Sequence, residues 1–298
     1  MMQKLLVIGG ATATGKTEIA VHLAKLFGGE LVSADSRQVY KGMDIGTGKD
    51  LSEVADIPLW MIDVVAPDEE FSVSHYARLA KSAITDIRKR KKLPIVVGGT
   101  GLYIQSLTHG FDTIDIPPNK KLREKLKDAS VRQLQGMIDR SVLDTMNESD
   151  KNNPRRLIRK IEIIAHTTKS RIVEDQDVLF IGLTAPMEEL YRRIDARVEK
   201  RVTQGIKDEI QTLLRKGYSW DLPSMNTLGY KQWKDAFSDE EAIIRWKYDE
   251  HAYARRQITW FRKEKNIVWF DIHPSNSFAA IEKLVREWYT KKYYDNES

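Results

Sequence analysis

The chain contains no cysteine, which removes several chemistries at once: no disulfide, no thiolate zinc site and no catalytic thiol can form. Its six histidines lie scattered without metal-ligand spacing, and His22 and His166 read as packing or surface residues rather than ligands. No run of eighteen apolar residues occurs and the first residues lead directly into a strand pattern, so neither a membrane span nor a signal peptide is expected. The chain therefore reads as soluble and cytoplasmic. Internal repeats, low-complexity tracts and heptads are missing too, which makes a monomer the simplest expectation. Charge of one sign is only slightly in excess, with 48 Lys+Arg against 43 Asp+Glu and an isoelectric point near 9.1. That balance permits a polyanionic partner without requiring one.

What is present begins at Gly10-Ala11-Thr12-Ala13-Thr14-Gly15-Lys16-Thr17, which fits G-x4-G-K-[ST] between the apolar run Leu5–Ile8 and a helical pattern. Glycines at this strand-to-helix turn let successive backbone N–H groups converge with the helix N-terminus into a cradle for phosphate oxygens. Lys16 is placed to neutralise a terminal phosphate, and Thr17 to offer its hydroxyl to Mg²⁺.

Strand-length apolar runs alternate with amphipathic stretches. Strands are predicted at Leu31–Ala34, Leu59–Ile62, Pro94–Val97, Val178–Leu183 and Ile267–Phe270, and helices at Glu18–Phe27, about Ser74–Lys91, about Met187–Lys216 and about Ser277–Lys291. The predicted fold is α/β, a P-loop NTPase-like parallel sheet flanked by helices, whose ligands lie beyond the carboxyl ends of the strands. Residues 1–111 and 177–298 are assigned to this discontinuous core. The stretch 112–176, with helical patterns at Leu122–Leu126 and Leu157–Ile164, is assigned to a helical insertion.

Two further segments reach the same sheet edge. Asp35-Ser36-Arg37-Gln38-Val39-Tyr40 follows the second strand, so the Asp35 carboxylate faces bound phosphates, where it needs a metal or a proton to take. By itself, Asp-Ser after a strand serves equally as a turn or helix cap. Gly98-Gly99-Thr100-Gly101-Leu102-Tyr103 follows the fourth strand, and alone it too fits a tight turn. Near the C-terminus, Arg245 to Lys263 interleaves cations with aromatics, which suits unpaired bases and phosphates, although Trp260 and Phe261 suit core packing better.

These segments, with Met43–Thr47, Asn153-Pro154-Arg155-Arg156, Arg197-Val198 and Leu228–Lys231, occur in the order of the tRNA dimethylallyltransferases, and the chain resembles that family from Leu5 to about Arg262. The resemblance implies transfer of a dimethylallyl group from dimethylallyl diphosphate to N6 of the adenosine 3′-adjacent to the anticodon, with Mg²⁺ as cofactor and the tRNA anticodon stem-loop as partner. It implies Asp35 as the base, Thr100 near the bridging oxygen and Arg197 on the diphosphate with residues 10–17. It implies tRNA contacts at Asp35, Ser36, Arg37, Gln38, Thr100, Arg123, Arg155, Arg156 and Arg159, with Gln38 suited to the adenine edge. The chain departs from the usual pattern at Ala11, where many members have proline, at Gly48-Lys49-Asp50, where Ala-Lys-Pro is usual, and in a shorter stretch after Arg156. Three other readings stay open: prenylation of free AMP, ADP or ATP, a small-molecule kinase, and a non-catalytic RNA-binding NTPase. The basic insertion disfavours the first, the Gly-Gly-Thr-Gly-Leu-Tyr segment the second, and an Asp35 carboxylate without purpose the third.

Overall fold

The structure, a computed structural model, describes residues 3–54, 56–109, 116, 118–166, 176–273 and 277–291. Contacts divide the chain into two compact units, 1–109 with 174–298, and 110–173.

The larger unit begins with β1 (Gln3–Gly10), whose last six residues are all buried, as expected of an inner strand covered on both faces. Helix α1 (Lys16–Phe27) buries Ile19, Ala20, Leu23 and Ala24 along one stripe and stops at Gly28, which adopts φ 63 and donates its N–H to Ala24 O. There follow β2 (Gly29–Ser33), the short α2 (Leu51–Val54), β3 (Leu59–Trp60), α3 (Val73–Lys89), β4 (Leu93–Gly98) and α4 (Gly101–Thr108). Helix α3 opens with a reciprocal cap between Ser72 and His75 and buries Tyr76, Ala77, Ala80, Ile84 and Ile87 at helical spacing.

The smaller unit holds α5 (Lys120–Leu126), α6 (Val131–Gln135), α7 (Arg140–Thr145), α8 (Glu148–Lys151) and α9 (Pro154–Ile164). Side chains of Asn119, Ser130, Asn147 and Asn153 cap four of these helices, and Leu126, Leu134, Ile138, Leu157 and Ile158 form the core between them.

Back in the larger unit, the chain continues through β5 (Gln176–Thr184), α10 (Met187–Thr203), α11 (Ile206–Arg215), a 3-10 turn at Lys231–Trp233, α12 (Asp239–Phe261), β6 (Ile267–Asp271) and α13 (Ser277–Thr290). The strands form one parallel sheet in the order β3-β2-β4-β1-β5-β6. From β1 the chain moves outward to β2 and β3 on one side; after β4 it crosses β1 to β5 and β6 on the other. Such a reversal opens a crevice beyond the carboxyl end of the central strand, where the phosphate loop begins. Helices α1 and α13 cover one face of the sheet, and α3, α4 and the end of α12 the other.

Three features differ from the pattern read in the sequence. The predicted helix Met187–Lys216 is two helices, because Gly205 adopts φ 95 and turns the chain between them. The third strand ends at Trp60, since Met61 takes φ 68 and leaves the extended region. The basic-aromatic stretch 245–263 lies largely within α12, a 23-residue helix that buries Trp246, Glu250, Ala254, Gln257 and Phe261. Phe261 is in the core, and Trp260 packs against it.

The break at Gly205 directs Glu209 onto a loop. Its carboxylate accepts from the backbone N–H groups of Asp44 (2.8 Å), Ile45 (2.7 Å) and Gly46 (3.1 Å) and from the Tyr230 hydroxyl (2.6 Å). Gly46 and Gly229 must both lack side chains here: a Cβ on Gly46 would lie 2.4 Å from the Tyr230 ring, and one on Gly229 2.5 Å from Gly46 O. Two distant sequence segments are thus locked through one carboxylate. We expect Glu209→Ala, which strands three amides, to lower unfolding free energy by about 3 kcal/mol, with Glu209→Gln losing less. Urea denaturation midpoints check both, and equal stability of Glu209→Ala and wild type would refute the clamp.

Candidate active site

The phosphate loop leaves β1 at Gly10, whose φ of 144 and whose Cβ position, 2.4 Å from Leu183 O, admit only glycine. Ala13 (φ 66) and Gly15 (φ 76) complete the turn into α1, where Gly15 occupies the N-cap without a side chain to shield the first amides. The Thr14 hydroxyl and Lys16 Nζ both donate to Ala11 O, at 2.8 and 2.6 Å. Burial first, and then the Arg197 guanidinium, bring the Lys16 ammonium down to about 7, with Asp35 acting in the opposite direction. Keeping this lysine charged in the cleft is therefore costly.

Asp35 follows β2 and lines the same cleft as Thr12, Lys16 and Thr17, a volume of about 560 Å³. One of its oxygens accepts from Arg37 N (2.8 Å), and it forms no ion pair among the described residues. It raises the hydroxyl pKa values of Tyr76, Tyr103 and Tyr253, in each case behind the larger effect of burial. A carboxylate in such a position is available to accept a proton. Thr100 stands at the N-cap position of α4 without a side-chain cap bond: its hydroxyl accepts from Ser36 N (3.0 Å) and donates to Ser36 Oγ at 3.3 Å, so it braces the Asp35 segment from outside the cleft lining. Gln38 lies in the wall with its amide already committed, accepting from Ser33 Oγ (3.1 Å) and donating to Gly48 O (3.0 Å). Below the charged rim the cleft has an apolar floor that includes Leu31, Val54, Leu59, Ile62 and Val97.

The cations form an arc. Arg197 projects from α10 and donates to the Thr12 hydroxyl. Arg37 lies 4.2 Å above the Tyr253 ring, and Arg201 follows Arg197 by one turn. Between them sits Glu250, 2% exposed, with Arg37 at 3.8 Å and Arg201 at 3.7 Å. Burial acts to raise its pKa, but Arg37, Arg197 and Arg201 together outweigh that effect and hold it below the usual carboxylate range.

Sequence reasoning did not single out Glu250, Arg201 or the part that Gln257 plays. Gln257 is a strut between loops: it accepts from Thr12 N at 2.8 Å and donates to Gly99 O at 3.0 Å. The missed signal is spacing, since Trp246, Glu250, Tyr253 and Gln257 recur at three- and four-residue intervals, one stripe of a helix turned inward.

Within the smaller unit the four arginines expected to contact tRNA part company. Arg123 and Arg159 both bind Glu162, which is 2% exposed: Arg123 at 2.7 and 3.0 Å and Arg159 at 3.0 Å, while Arg159 also donates to Ile116 O at 2.9 Å. Burial opposes the charge on Glu162, yet the two guanidiniums and the Asn119 amide keep its pKa below normal. Arg156 pairs with Asp150 and is exposed. Arg155 is exposed and makes no ion pair among the described residues. The first two hold this unit together, and the last two face solvent.

Comparison with known proteins agrees with this geometry. The IPP transferase family model matches residues 38–264. A tRNA dimethylallyltransferase of Roseiflexus sp. (strain RS-1) is 41% identical, covering 96% of this chain and 99% of its own, and one of Bacillus cytotoxicus is 39% identical with 95% of each covered. Among solved structures, the tRNA isopentenylpyrophosphate transferase of Bacillus halodurans shares 37% identity over 96% of both chains with a TM-score of 0.74. A eukaryotic dimethylallyltransferase acting on tRNA shares 25% identity with a TM-score of 0.83, over 99% of this chain and 81% of that one. A phosphate loop that shares its cleft with the Asp35 carboxylate on a parallel sheet, together with near-full-length likeness to these enzymes, places the chain in the IPP transferase family, that of the tRNA dimethylallyltransferases.

Proposed function

We propose that the chain transfers a dimethylallyl group from dimethylallyl diphosphate to N6 of the adenosine 3′-adjacent to the anticodon of tRNA. The observation that carries this reading is the presence of Asp35 and the phosphate loop in one cleft, in a chain 41% identical to a tRNA dimethylallyltransferase. An exocyclic amine whose lone pair is delocalised into a purine is a poor nucleophile, so it gains from a base that removes its proton as the new bond forms. Asp35 takes that proton. The N6–C1 bond forms, the C1–O bond breaks, and the electron pair leaves with diphosphate. Lys16, Arg197 and the loop amides take up the charge that develops on the leaving group. The target base must leave its stack to reach the cleft.

Thr17 in the first turn of α1 is a suitable donor for Mg²⁺. Among the described residues no three acidic or histidine side chains gather into a metal site, so such an ion would depend mainly on diphosphate oxygens and water for its ligands. When bound, Mg²⁺ supplies charge neutralisation at the leaving group. No helix among the described residues is long and apolar enough to cross a membrane.

The direct test is incubation with labelled dimethylallyl diphosphate and Mg²⁺, offering unmodified tRNA or AMP as acceptor; label on AMP alone would overturn the proposal. We expect Asp35→Ala to retain diphosphate binding while transfer falls by roughly 10²- to 10⁴-fold, and unchanged turnover would remove Asp35 as the base. Lys16 supplies a pH signature. A bound polyanion raises a lysine that burial and Arg197 hold near 7, so above that pH binding takes up a proton and pyrophosphate affinity falls as pH rises. Calorimetry at pH 8.5 in buffers of different ionisation heat should count about one proton more for wild type than for Lys16→Met, and equal counts would refute the assignment. For Arg155→Ala combined with Arg156→Ala we expect weaker tRNA binding and a salt slope shallower by about one to two, read from filter binding across salt concentrations.

A further inference from the structure

Arg201 lies one turn beyond Arg197 on the same side of α10 and lines the same cleft. It is 5% exposed. Its bonding is poor for a buried guanidinium, which carries five donors. Among the described residues one nitrogen reaches Gly46 O at 3.4 Å, and the Glu250 carboxylate stands at 3.7 Å, beyond hydrogen-bond reach. The Trp246 ring centre is 5.9 Å away, and Asp50 acts on Arg201 only through space. A buried charge left this short of partners is costly unless something else completes it.

The position exists because residue 48 is glycine. Gly48 adopts φ 68, and a Cβ there would fall 1.8 Å from one terminal nitrogen of Arg201 and 2.7 Å from its central carbon. A side chain at 48 would clash with the guanidinium where it lies and force it to shift.

We propose that Arg201 is a second phosphate-binding arginine of this cleft, engaging the oxyanions of the donor's diphosphate beside Arg197 from a position that Gly48 opens. The presence of Lys16, Arg197 and Arg201 in one cleft, with Arg197 acting on both of the others, supports this, since a diphosphate presents several oxygens and a single arginine cannot reach them all. Burial and then the neighbouring Arg197 draw the Arg201 pKa down to about 10, and a bound dianion would act against both. Glu250 is the internal countercharge that holds the arginines in the ligand-free state. The inference rests on the prenyl-transfer reading for the identity of the donor, and its test is confined to phosphate binding so that the two can fail separately.

The test is calorimetric titration of the whole chain with inorganic pyrophosphate and Mg²⁺, without tRNA. Arg201→Gln should weaken binding by about ten- to a hundredfold. Gly48→Ala, which keeps the guanidinium but denies it the site, should weaken binding by a similar factor, and the double variant should bind no worse than Arg201→Gln alone. Anticodon stem-loop binding in the absence of donor should stay within about twofold of wild type. Pyrophosphate affinity within about twofold of wild type for Arg201→Gln, or additive losses in the double variant, would overturn the proposal. So would a loss confined to stem-loop binding, which would assign Arg201 to a nucleic-acid phosphate. If Arg201→Gln does not fold, Arg201→Lys and Gly48→Ala carry the same comparison. Failure of wild type itself to bind pyrophosphate would sink the phosphate-loop reading instead.

Discussion

Like charges crowded into one crevice are the constraint around which this molecule is arranged. Lys16, Arg37, Arg197 and Arg201 converge where the central strand of a parallel sheet ends, and the amides at the start of α1 point into the same space. Their mutual repulsion is visible in the depressed pKa values of Lys16 and Arg201, to which Arg197 contributes in both cases after burial. The buried Glu250 offsets part of this charge, Glu18, Asp50 and Glu53 line the same cleft, and Asp35 has no ion partner among the described residues. Lys16, Arg197 and the amides at the start of α1 together suit a compact polyanion.

The fold supplies the convergence. Because the crossovers from β1 run to one side and those after β4 to the other, the ends of β1, β2 and β4 meet at the reversal, and each carries one functional segment. Helix α12 closes the arrangement from above with an inward stripe that braces the phosphate loop, through Gln257, against the turn at Gly99.

Much of this was legible in the sequence, for identifiable reasons. The strands of an all-parallel sheet are continuous apolar runs, so β1, β4 and β5 stand out, and the phosphate loop has fixed spacing because its geometry tolerates few alternatives. Positions that act through long-range contacts were not legible. Glu250 and Arg201 look like ordinary solvated charges on helices until the fold turns them inward, and Arg123 and Arg159 look like a basic surface although both serve the buried Glu162. The turn at Gly205 was hidden by amphipathic patterns that run on either side of it. Periodicity reports which face is apolar and not which charged residue has a partner across the molecule.

The bend between α10 and α11 ties two parts of the crevice mechanically. Arg197 and Arg201 ride on the helix before Gly205, and Glu209, on the helix after it, grips the backbone of residues 44–46, whose neighbour Gly48 shelters the Arg201 tip. The wall that supplies cations and the wall that gives them room therefore form a closed loop of contacts, so neither can shift without dragging the other.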